Sequence, residues 1–222
     1  MWTEEWTEAN FCNVRMRRNR NIARSRRRNG RCEFSARLLS QLIADLEPKF
    51  SDDEILVIGV NTVNRFAWQQ GWLKTRAISK ICSEFAGISA QRTRVVVVHH
   101  PLEHLIDENK RLMRNAGLGL EELSDCGTDL VLSGHVHSWH ASLFAVVEGR
   151  RSALQVHAGT SLSNRLRGEI NDFNLLEVSS NKITVCRHAF SDTNAAFSVV
   201  ATSKFVAGPA GWSRAVTNLT DA

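Results

Sequence analysis

The 222-residue sequence predicts a mixed α/β (α+β) domain, on three observations. Short runs of β-branched residues, Ile55–Val60 and Val95–Val98, read as buried strands. Segments with apolar residues three and four apart lie around them and read as helices. Beyond residue 140 the pattern becomes short apolar stretches cut by turn-forming residues, which reads as a run of strands.

The elements follow in order. Residues 1–34 have no apolar periodicity and predict an Arg-rich segment without regular structure. Ser35 as N-cap, Leu38, Leu39, Leu42, Ile43 and Leu46 on one face, and Pro48 as a stop predict the first helix. After the Ile55–Val60 strand, Ile78, Ile81, Cys82 and Phe85 share one face of a helix over 73–86. The Val95–Val98 strand ends at His99-His100-Pro101. Helices are expected near 103–115 and 119–126, then a strand Asp129–Leu132 that ends at Ser133-Gly134-His135-Val136-His137. Strands follow at about 141–148, 152–158, 172–178 and 182–190, with turns at Glu148–Arg151 and Ser179–Lys182. The sequence therefore divides into 1–34, a domain over 35–204, and a Gly/Ala/Ser/Thr-rich tail over 205–222.

Net charge is +5, which first suggests an acidic partner. Its distribution says otherwise. Residues 15–31 hold nine Arg and no acid, leaving 19 basic against 23 acidic residues elsewhere, a net of −4. No aromatic interleaves that block, so stacking on nucleic-acid bases has no support. No apolar run approaches the roughly 18–20 residues of a membrane span. Glu4, Glu5 and Glu8 precede the Arg run and no apolar segment follows it, which argues against a secretory or transit signal. The five Cys are scattered and odd in number, and read as reduced thiols of a cytoplasmic protein.

The chemistry is carried by two histidine clusters, each directly after a short strand. In open α/β sheets, that strand end is where ligands bind. Neutral imidazole is the commonest metal ligand near pH 7 and suits Mn, Fe or Zn type ions. His99, His135 and His137 are the candidate ligands, with His100 beside them. His104, His140, His157 and His188 read as hydrogen-bonded structural residues.

The blocks Val95–Pro101 and Leu132–His137 resemble the last two metal-binding blocks of the calcineurin-like metallophosphoesterases. The segment Ala158–Glu169 and the lead-in Leu46–Asn61 resemble the cyclic-nucleotide phosphodiesterase-type branch of that superfamily. The likeness spans about residues 38–190. It implies an αββα sandwich, two divalent metal ions at strand ends, and in-line hydrolysis of a phosphoester small molecule. By position it implies that His99 and His135 ligate one metal and His137 the other. Among the candidate catalytic residues, His100 stands beside the ligands, and Arg165 and Arg167 either face the phosphate or lie on a solvated loop; Asn61 either borders the substrate, as the equivalent region does in relatives, or closes a strand-end turn.

The sequence also departs from that family. It contains no Asp-x-His, no Gly-Asp and no Gly-Asn-His block. The expectation is a truncated family member lacking the first half of the sandwich, with the Arg block in its place. An Arg-only block without Lys is compatible with out-of-frame translation. Lacking the carboxylate ligands, the chain is expected to bind metal weakly and hydrolyse little by itself. An exposed sandwich face would favour oligomers. The competing reading is an Arg-rich nucleic-acid-binding module on a non-catalytic scaffold.

Overall fold

The computed structural model describes residues 15–17, 47–63, 70–104, 111–136, 138–144, 150–160 and 170–215. The helix expected over 35–46 lies outside them. Eleven strands are described: β1 Arg15–Arg17, β2 Lys49–Ser51, β3 Ile55–Val60, β4 Thr93–Val98, β5 Leu130–Ser133, β6 His140–Leu143, β7 Leu154–His157, β8 Asp172–Ser179, β9 Lys182–Ser191, β10 Ala196–Gly208 and β11 Gly211–Arg214. Two helices, α1 Thr75–Ala86 and α2 Ala116–Asp125, connect β3 to β4 and β4 to β5.

The strands form two sheets. One has the order β2-β3-β4-β5-β7-β6, the other β1-β8-β9-β10-β11. In the six-stranded sheet β3, β4, β5 and β7 run parallel and the edge strands β2 and β6 antiparallel. A parallel ladder needs cover on both faces, and the β-branched runs supply it. Ile55, Val57, Val95, Leu130, Leu132, Leu154 and Val156 face Leu176, Val178, Ile183, Val185, Phe205 and Trp212 of the second sheet. Leu56, Ile58, Val60, Val96, Val98 and Val131 face the opposite way, against Ile78, Ile81 and Phe85 of α1 and Leu123 of α2. The mixed α/β class read from sequence is what the structure has.

Three expectations are corrected. Residues 103–104 and 111–115 are not helical; Arg114 makes a bridge to Trp72, and the helix begins at Ala116. The 205–222 tail is not loose over its described part. β10 runs through position 204 and β11 follows it, with Phe205 and Trp212 buried in the sheet–sheet core. Small residues hid this strand, because its first half is exposed on both sides and shows no alternation. Within 1–34, the backbone of Arg15–Arg17 pairs in parallel with β8; the rest lies outside the described residues.

The cysteine reading is also corrected. Cys82 of α1 and Cys126, which follows α2, form a disulfide with Cα atoms 5.3 Å apart. Cys186 is a free thiol, and Cys12 and Cys32 lie outside the described residues.

The two sheets are also linked by polar contacts. Trp212 Nε1 donates to Asp129 Oδ1 at 3.0 Å, and an Arg214 guanidinium N–H donates to the Ala141 carbonyl at 3.0 Å. Asp172, 1% exposed, is paired with Arg187 at 2.6 Å. Its carboxylate occupies the space a Cβ on Gly159 would need. Because Arg187 holds that carboxylate in place, Gly159→Ala is expected to cost about 1–3 kcal/mol through overpacking. Urea denaturation checks this; an unchanged midpoint would mean that the 159 backbone yields.

Candidate metal centre

The site is set by the register of two parallel strands. Val95, Val96 and Val97 of β4 stand beside Leu130, Val131 and Leu132 of β5. Extended by two or three residues, the same offset sets His99 against Gly134 and His100 against His135. The Gly134 N–H donates to the His99 carbonyl at 3.2 Å, so the pairing continues past the strand ends. His135 then adopts a left-handed backbone, φ 71°. That conformation is uncommon outside Gly, Asn, Asp and His, and persists only where its surroundings hold it.

Three imidazoles meet there. His99, His100 and His135 each offer a nitrogen, all within 4.8 Å of one another. The His135 Nδ1 and His99 Nε2 atoms lie 3.1 Å apart. The ring centroids are separated by 4.6–5.0 Å. His100 is buried, and its Nδ1 is hydrogen-bonded to Thr62 Oγ1 at 2.8 Å. Gly71 lies against that ring, where any Cβ would collide with it. Burial, then the neighbouring charges of His99 and His135, push the His100 pKa down to about 3. Its ring is therefore neutral near pH 7, the form that ligates.

The donor set fits a divalent cation. Tetrahedral ligands at about 2.0–2.1 Å from Zn stand about 3.3 Å apart, close to the observed separation between the His99 and His135 nitrogens. Thr62 engages one nitrogen of His100, so the other is the one to ligate. The group contains no carboxylate.

The other expected site residues are placed as follows. Asn61 follows β3, and its Oδ1 accepts from the Val63 N–H at 3.0 Å, closing a local turn. His137, Arg165 and Arg167 lie outside the described residues. His157 is fully buried with a hydrogen bond at each ring nitrogen, as its structural reading requires. Sequence reasoning missed Thr62, Gly71, Glu103, Ser133 and Gln155. Thr62 and Ser133 each sit at or just beyond a strand end that was already marked. Gly71 and Gln155 had no local signal.

No helix among the described residues is long and apolar enough to cross a membrane. No family model matches the chain, and no curated protein does. Among solved structures, the chain is similar to a single mutant of Vps29 from Entamoeba histolytica, at 16% identity over 66% of this chain and 97% of that one, with TM-score 0.27. It is similar to a hypothetical protein from Thermus thermophilus, at 16% identity over 72% and 61%, with TM-score 0.33. It is also similar to Chaetomium thermophilum Vps29, at 12% identity over 76% and 98%, with TM-score 0.29. At these TM-scores the likenesses are distant and add nothing to the reading of the site.

Proposed function

We propose that the chain is a metal-binding domain of metallophosphoesterase type. It holds one divalent cation on His99, His100 and His135 and receives a phosphoester beside it. By itself it hydrolyses that ester slowly or not at all. One observation carries the reading: three imidazoles converge at the ends of adjacent parallel strands. The motif resemblance over Val95–Pro101 and Leu132–His137 supports it independently.

A divalent cation at this position supplies Lewis-acid polarisation of a phosphoryl oxygen and acidifies a water. The chain's own residues hold and orient. Thr62 and Gly71 keep His100 in one orientation, and the β4–β5 register brings His135 level with His100. His137 as a further ligand, Arg165 and Arg167 on the phosphate, and Asn61 at the substrate border belong to the same proposal. Low turnover follows from the absence of a carboxylate among the three converging side chains, which leaves the dication's charge uncompensated by the protein.

The test is Co²⁺ titration of the metal-free chain, followed by turnover of bis(4-nitrophenyl) phosphate. One equivalent is expected to bind. His99→Ala is expected to weaken binding about a hundredfold, since each ligand carries roughly 3 kcal/mol of a structural zinc site's affinity. Turnover is expected near background. Absence of binding overturns the centre, and robust turnover with two bound ions overturns the low activity.

Association of copies is part of the same proposal. Phe173, Phe190 and Phe197 pack edge-to-face on the outer side of the five-stranded sheet. A size-exclusion elution volume smaller than that of a 24.9 kDa monomer is the expected result.

A further inference from the structure

A chain of polar side chains links the two loops that carry the histidine centre, and its direction can be read from its chemistry. Gln155 Nε2 lies 3.1 Å from Glu103 Oε2 and 3.2 Å from Ser142 Oγ. A carboxylate only accepts, so the amide nitrogen of Gln155 faces Glu103 and its Oε1 faces the other way. That Oε1 lies 3.0 Å from His157 Nε2. An amide oxygen also only accepts, so His157 carries its proton on Nε2. His157 Nδ1 is then the acceptor for the Ser133 hydroxyl, 3.0 Å away. Every link is fixed by the one before it. Gln155, His157 and Ser133 are 4%, 0% and 2% exposed, so water does not compete for these bonds.

The two ends of this chain matter most. Glu103 stands three residues after His100, on the loop that leaves β4. Ser133 is the last residue of β5, two before His135. Both imidazole-bearing loops are thus tied to the same strand, β7, through Gln155 and His157. A strand interior is more rigid than a loop, and a site held by it keeps its ligand spacing.

We propose that Gln155 and His157 are positioning residues for the three-histidine centre, locking the Glu103 loop and the Ser133–His135 turn at one separation. The inference rests on the metal-binding reading above. Outer hydrogen bonds of this kind typically change metal affinity 10–100-fold when removed.

The test is Co²⁺ affinity, with the visible d–d spectrum, of the metal-free full-length chain and its variants. Gln155→Met removes both links at similar volume and is expected to weaken Co²⁺ binding 10–100-fold. Glu103→Ala cuts only the half-exposed outer end and is expected to weaken it about tenfold. Glu103→Gln keeps an acceptor for Gln155 Nε2 and is expected to restore near wild-type affinity and spectrum. Phe205→Leu, in the sheet–sheet core, is expected to lower the melting temperature with Co²⁺ affinity unchanged, which separates positioning from general destabilisation. If Gln155→Met does not fold, the Glu103 pair decides. Variants that bind Co²⁺ within twofold of wild type overturn the positioning role and leave the centre standing. A wild-type chain that binds no Co²⁺ overturns the centre, and the positioning role with it.

Discussion

Lowering the pH from 7 to 5 is expected to cost the metal-free fold about 4 kcal/mol, arising from two histidines. Burial, then the charges of His99 and His135, lowers His100 to about 3. Burial, then His140, lowers His157 to about 4. An unfolded histidine titrates near 6.5. Both folded values are depressed, so the folded state binds fewer protons than the unfolded state between the two values. Their contribution is fully present above about pH 6.5. It is lost as pH falls, at about 1.4 kcal/mol per histidine per pH unit, until the folded groups protonate near 4 and 3. Urea denaturation at pH 7, 6 and 5 measures it. The expected slope is steeper than one histidine alone can give. His157→Gln is expected to reduce it towards that of one histidine. A flat profile above pH 5 would mean that these rings are hydrated in the folded state.

The second large effect is that of the Cys82–Cys126 disulfide. The bonded residues are 44 apart in sequence. In the chain-entropy account, closing a loop of that length removes about 4 kcal/mol of unfolded-state freedom. The bond ties α1 to the end of α2, the two helices that cover one face of the parallel sheet. Reduction, or Cys82→Ser with Cys126→Ser, is expected to lower the unfolding free energy by about that amount. The double variant is expected to lose its response to reductant. Titration of free thiols before and after reduction verifies the bond directly. Equal stability with and without reductant would show that the packing of Ile78, Ile81, Phe85 and Leu123 suffices to hold the helices.

Much of the fold was legible because secondary structure is written in local periodicity. Ile78, Ile81, Cys82 and Phe85 recur at the helical period, and α1 buries Ile78, Ile81 and Phe85. β3 and β4 were visible as β-branched runs because a parallel strand buried on both faces carries no polar alternation. β10 was not legible. Residues 198–200 are all exposed, so this stretch carries no apolar alternation to read. The helix expected near 103–115 fails for a different reason. Apolar spacing there serves burial of Leu102 and Met113 in the helix-side core, without helical backbone at the described positions.

The sequence by itself determined which groups stand at the strand ends. It placed His99 and His100 directly after one strand and His135 directly after another, and the chemistry of imidazole followed from that. Tertiary structure alone decided which of these groups meet. A parallel register of 35 residues brings His100 level with His135, and no local pattern encodes a register. Thr62, 38 positions before His100, fixes that ring, and desolvation keeps it neutral. The cysteine pairing is of the same kind. Whether Cys82 reaches Cys126 depends on how two helices lie across one sheet, a property of packing that sequence separation does not contain.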